Sequence, residues 1–162
     1  MATKKPFPQA GFLDHLELLV GSAPQVADAS LSPLLVHMLF VPDGSGALTP
    51  SAACLIELLK AQKATLQAAF DTDVVADELR RYQKFARPGQ PSAHIVQLRQ
   101  QQAAARQASS LSRQSFIKAA AAFVREADID VPERVALEVF ISGWIDAHVP
   151  KAFVPLPNGA GR

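Results

Sequence analysis

The sequence predicts an all-α fold, a compact bundle of five to seven helices. Three observations predict it. Residues 51–87 and 92–131 contain neither proline nor glycine. Proline in a helix interior costs about 3 kcal/mol, so such stretches favour helix. Both are rich in Ala, Leu, Gln, Arg and Lys, which are good helix formers, and few β-rich segments exist for a sheet.

The N-terminal region, residues 1–48, reads as short helices or an arm. Phe12 to Leu19 predicts a short helix. Leu34 to Val41 is an eight-residue apolar run that includes His37 and ends at Pro42-Asp-Gly-Ser-Gly. Periodicity alone does not separate helix from buried strand over so few residues. The scarcity of strand partners favours helix, with His37 as a hydrogen-bonded core residue.

Residues 49–149 form the predicted bundle. Thr49-Pro50 supplies an N-cap followed by proline at the first helical position. Leu55, Leu59, Gln62 and Leu66 recur at helical spacing. Asp71-Thr72-Asp73 reads as a new cap, so a second helix is expected there, with Val75, Leu79, Tyr82 and Ala86 on its face. Ser92 then caps a further helix, whose thin stripe is Ile95, Leu98, Gln102 and Ala105. Ser109-Ser110-Leu111-Ser112 predicts a break or kink, because serine hydroxyls compete for backbone groups. Beyond it, Phe116, Ala120, Phe123 and Ala127 share one face. Asp130-Val-Pro-Glu133 has the form of a capping box. The helix it predicts carries Val135, Leu137, Phe140, Ile141, Trp144 and Ile145, and Val149-Pro150 ends it. The tail, residues 150–162, is rich in Pro and Gly and predicted to be irregular.

Catalytic and metal chemistry find little support. His15, His37, His94 and His148 have no second His or Cys at i+3 or i+4, so no helical metal pair forms. The clusters Asp71/Asp73/Asp77/Glu78 and Asp128/Asp130/Glu133 sit where helices are expected to start, and acids are favoured there by the helix dipole. Cys54 has no basic residue within five positions and reads as a small apolar side chain. His148 reads as a helix-end residue. The expectation is a non-enzymatic protein without a cofactor or metal.

No run approaches the roughly 18 apolar residues of a membrane span. The apolar stretch Gly11 to Val20 is interrupted by Asp14, His15 and Glu17, unlike a secretory signal core. A cytoplasmic protein with no membrane partner is therefore expected.

The functional signal lies in the distribution of charge. The net charge of +1 is a cancellation. Residues 1–78 hold four basic and nine acidic side chains, residues 79–125 nine basic and none acidic, and residues 126–162 three basic and six acidic. Seven of the nine central cations are arginines. The guanidinium fork holds phosphate bidentately and stacks on bases. Interspersed Gln and Ser add neutral donors, and Tyr82 and Phe85 stand in the first basic cluster, where rings can stack on bases. Arg99, Arg106 and Arg113 recur every seven residues beside the Ile95/Leu98 face.

These features predict a helical accessory protein that binds the DNA or RNA backbone without strong sequence preference, as part of a nucleoprotein assembly. The expected contacts are Arg80, Arg81, Lys84, Arg87, Arg99, Arg106, Arg113 and Tyr82. The bland account of Arg80 to Arg87 is a charged helix end. No helix-turn-helix stands out, because the helix after Asp130 is apolar and acidic. The competing expectation is a helical interaction module: an adaptor, inhibitor or assembly factor. Its basic middle would pair with acidic surface of its own chain, of a second copy in a homo-oligomer, or of another protein.

Overall fold

The computed structural model describes residues 7–21, 33–41, 48–85, 89 and 92–151. The fold is all-α. Five helices are present among the described residues: α1 (Ala10–Gly21), α2 (Pro33–Leu39), α3 (Pro50–Gln83), α4 (Ala93–Ala127) and α5 (Leu137–His148). The only pairing of extended backbone among them is an isolated antiparallel bridge between Phe40 and Leu48. Asp43 to Gly46 and the tail from Ala152 lie outside the described residues.

The helices pack as two units. One is Ala61–Ser115, and the other combines Phe7–Lys60 with the chain from Phe116 onward. The second unit holds most of the buried apolar side chains. Phe12, Leu13 and Leu16 of α1, Leu35 and Leu39 of α2, and Leu55, Leu58 and Leu59 of α3 are all buried. Phe116, Ala120 and Phe123 of α4 join them, with Ile141, Trp144 and Ile145 of α5. The Trp144 ring meets Phe123 edge-on at 5.1 Å and stacks on His148 at 4.8 Å. His148 also lies at the helix end as expected, with Nδ1 3.0 Å from the Trp144 carbonyl oxygen.

Local chemistry explains the boundaries. Thr49 is the N-cap of α3: its hydroxyl accepts from the Ala52 N–H at 3.3 Å and donates to the Met38 carbonyl. Its own N–H donates to Leu39 O at 2.9 Å, so one residue closes α2 and opens α3. Ser92 caps α4, accepting from the Ile95 N–H at 3.3 Å. The α4 C-terminus closes through Asp128, which adopts a left-handed conformation with φ 55°. The Ile129 N–H then returns to Val124 O at 3.0 Å, the six-to-one bond of a Schellman end. Val149 ends α5, as the sequence predicts.

Four expectations are corrected. Helix α3 runs unbroken for 34 residues through Asp71-Thr72-Asp73. There the Gln67 amide donates to Asp71 Oδ1 at 2.9 Å, and the Thr72 hydroxyl donates back to Ala68 O at 2.9 Å. The polar side chains are thus satisfied on the helix and do not compete to end it. Helix α4 likewise runs for 35 residues through Ser109–Ser112.

Helix α5 starts at Leu137, after Ala136, without a side-chain cap. Pro132 instead accepts from the Val135 N–H at 3.1 Å in a single turn, which the extended Ala136 (φ −61°, ψ 138°) does not continue. Val135 therefore precedes the helix and is 38% exposed. His37 is exposed, because α2 buries Leu35 and Leu39 at i and i+4 and turns position 37 outward.

Candidate nucleic-acid interface

Between Ala93 and Ser115, only one set of α4 side chains is shielded from solvent. Ile95 and Leu98 are buried, Gln102, Ala105, Ser109 and Ser112 are half-buried, and every residue between them is exposed. The spacing alternates three and four residues, the seam of an antiparallel or parallel coiled coil. On α3 the matching seam is Thr65, Ala68, Thr72, Val75 and Leu79, all buried or half-buried. The two helices run antiparallel. The Thr65 hydroxyl reaches Ser112 O at 3.4 Å, the Thr72 hydroxyl reaches Ala105 O at 3.5 Å, and Leu79 clusters with Ile95 and Leu98.

This seam explains the continuity of α4. Ser109 and Ser112 are small residues where two backbones approach closely, so the serine run meets a partner helix instead of water. It also displaces Leu66, which is 38% exposed although the spacing from Leu59 places it on the apolar face. The seam passes through Thr65 and Ala68 instead.

Arg99, Arg106 and Arg113 each follow a seam residue, so all three lie on one flank of α4, and all are exposed. Successive arginines are separated by seven residues, about 10.5 Å along the helix. In the antiparallel register set by Thr65/Ser112 and Thr72/Ala105, the facing flank of α3 carries Gln62, Ala69, Ala76 and Gln83. None is acidic. The acidic pair Asp71 and Glu78 falls on the opposite flank, beside Gln101 and Ala108. Arginine stems can therefore lie along small side chains while their charged heads stay in water.

The first basic cluster is more mixed. Arg80 donates to Asp77 Oδ1 at 2.6 Å and to Ala76 O at 3.3 Å, an i,i+3 pair on the α3 surface. Arg81 and Lys84 are exposed, and like Arg99 and Arg106 they form no ion pair among the described residues. Arg113 is engaged by another group of the chain. Arg87 lies outside the described residues. Tyr82 is 47% exposed and meets His94 edge-on, with ring centroids 4.3 Å apart and planes at 73°.

Other chemistry is sparse. No group of three metal-ligating side chains occurs among the described residues. The acidic clusters do not cap helices as the sequence predicts. Asp71, Asp73, Asp77 and Glu78 lie inside α3, and Asp128, Asp130 and Glu133 lie between α4 and α5. Burial pushes the Cys54 thiol up from its ordinary pKa, and the negative charges of Glu126 and Glu57 push it further. That is opposite to the activation a thiolate nucleophile needs.

Sequence reasoning found the arginines and the first half of the seam beside them, Ile95, Leu98, Gln102 and Ala105, but expected a break where the seam continues through Ser109 and Ser112. The three-four alternation continues to Phe116, but Ser109 and Ser112 disguise its second half when only apolar residues are counted. No described helix is long and apolar enough to cross a membrane. Comparison with protein-family models, with curated protein sequences and with solved structures gives no significant match to this chain.

Proposed function

We propose that this protein binds nucleic acid through the phosphate backbone, as a non-enzymatic accessory component of a cytoplasmic nucleoprotein assembly. The observation that carries the reading is the row of exposed arginines on α4. Arg99 and Arg106 have no acidic partner among the described residues, and the α3 positions that face them, Ala69 and Ala76, are uncharged. Cations with no ion pair among the described residues are available to neutralise phosphates. Exposed Gln100, Gln107 and Gln114 supply neutral donors along the same helix. Arg81 and Lys84 are further exposed cations near the end of α3. Such contacts position a backbone without reading bases, so weak sequence preference follows.

The test is binding to DNA and RNA oligonucleotides of mixed sequence across a salt series. Affinity falls linearly on a log–log plot, with similar slopes for unrelated sequences. Absence of binding at low salt removes this reading.

A second reading is supported by the acidic flank. Asp71 and Glu78 lie on the side opposite the arginines, so the flanks of one hairpin are complementary to those of another copy. In that case the basic row pairs with a protein surface, and its contribution is to geometry and specificity more than to raw affinity. Sedimentation of the nuclease-treated protein distinguishes the two. Salt-sensitive self-association supports the second reading, and a salt-independent monomer excludes homo-oligomers.

A further inference from the structure

The aromatic side chains near the end of α3 differ sharply in what they touch. Tyr82 is committed to an edge-on pair with His94. Phe85 has no ring partner among the described residues and is 79% exposed, the highest value of any large apolar side chain described. The Phe85 N–H donates to Tyr82 O at 3.2 Å, and the Lys84 N–H donates to Arg80 O at 3.2 Å. The last turn of α3 is thus prolonged, and Phe85 is held just beyond Gln83 with exposed Arg81 and Lys84 nearby in sequence.

An exposed ring with two cations close by in sequence, Arg81 and Lys84, neither in an ion pair among the described residues, has the make-up of a single-strand platform. The cations attract the backbone while the ring offers a π-face to a base. Duplex DNA does not satisfy such a ring, because its bases are already stacked and extracting one costs a few kcal/mol. We infer that Phe85 is a base-stacking residue and that the preferred ligand is single-stranded or locally unpaired nucleic acid. The inference rests on the nucleic-acid reading above and narrows its ligand class. It assigns the stacking role to Phe85, because the Tyr82 ring already has a partner.

The experiment measures fluorescence anisotropy of a labelled single strand and of a duplex of matched length, at low salt, with the full chain. Wild type is compared with Phe85→Ala, Phe85→Leu and Phe85→Trp, each checked for helicity by circular dichroism. The expected result is tighter binding of the single strand by wild type. Phe85→Ala and Phe85→Leu then lose about five- to hundredfold in single-strand affinity with little change for duplex. Phe85→Trp retains affinity, because the flat π-face is kept, whereas leucine keeps only apolar bulk.

Equal binding of both ligands, unaffected by Phe85→Ala, overturns the inference and leaves backbone binding standing. Equal loss in Phe85→Leu and Phe85→Trp also overturns it, since a stacking role requires the aromatic variant to rescue. No binding of either ligand overturns both readings.

Discussion

The Thr65 hydroxyl donates to Ala61 O, one turn back on its own helix, at 2.9 Å, and also reaches Ser112 O on the partner helix at 3.4 Å. Thr72 repeats the arrangement with Ala68 O and Ala105 O. A side chain bonded to its own backbone can touch a second backbone only where the helices come close. The Ala61–Ser115 hairpin is therefore built on small residues. Bulk at the seam is predicted to destabilise it: Ala68→Leu or Ala105→Leu costs about 1–3 kcal/mol by overpacking. Urea denaturation followed by circular dichroism measures the loss. Unchanged stability would show that the helices are not closely packed there.

Gln102 tests the same seam from the other side. It occupies a half-buried seam position between Leu98 and Ala105. A polar residue at such a position gives up stability. Gln102→Leu is predicted to raise stability by about 1 kcal/mol, from the apolar surface it adds to the seam. A lower denaturation midpoint contradicts the assignment.

The hairpin and the remainder of the chain differ in how much apolar surface they bury. Among the described residues of Ala61–Ser115 the buried apolar side chains are Ala68, Leu79, Ile95 and Leu98. The other unit buries Phe12, Leu55, Leu58, Leu59, Phe123, Ile141 and Ile145 almost completely. Local opening is easiest where buried contacts are few. Hydrogen exchange is thus expected to be faster in 61–115 than in 116–127 and 141–145, and added nucleic acid is expected to slow it in the hairpin. Phe123→Ala, by contrast, should cost about 3–5 kcal/mol and alter the fluorescence of Trp144, whose ring lies 5.1 Å away.

Much of this fold was legible in the sequence at its boundaries. Thr49-Pro50 and Ser92 cap α3 and α4, and Val149-Pro150 ends α5, because capping is decided by a few adjacent atoms. The interior of the long helices was less legible. Asp71-Thr72-Asp73 and Ser109–Ser112 carry the chemistry of helix ends, and only a packed neighbour reveals that Thr72, Ser109 and Ser112 lie on a seam. Asp130-Val-Pro-Glu133 misleads for the converse reason. Its local pattern is complete, yet the extended Ala136 delays the helix until Leu137. At the candidate site, residue identity was legible and partnership was not. Sequence does not tell Arg80, paired with Asp77, from Arg99, which has no ion pair among the described residues.

Gly143 lies inside α5, and a methyl group built there meets nothing within 4 Å. Glycine in a helix interior costs roughly 0.5–1 kcal/mol relative to alanine. Gly143→Ala is therefore predicted to stabilise the monomer by about that amount, read as a higher thermal midpoint. A decrease would mean that the outer face of α5 is covered in solution.

Cys54 gives the pH dependence. Its thiol is raised by burial first and by Glu126 and Glu57 second, so the folded chain keeps the proton to higher pH than the unfolded chain. Its contribution to stability is complete below the unfolded thiol pKa and is lost as pH rises through the higher folded value. The pH profile of Cys54 alkylation should lie to the alkaline side of that measured in urea. Coincident profiles contradict the account.

If Arg99 and Arg106 of α4, which form no ion pair among the described residues, neutralise nucleic-acid phosphates, binding must depend on salt through them. The most direct measurement is the salt dependence of binding for wild type and for Arg99→Gln/Arg106→Gln. Both residues are exposed, so the variant is expected to fold normally. The account predicts weaker binding on every sequence tested and a log–log slope shallower by about 1.4 for single strands or 1.8 for duplex. An unchanged slope, or no binding by wild type at low salt, would contradict it.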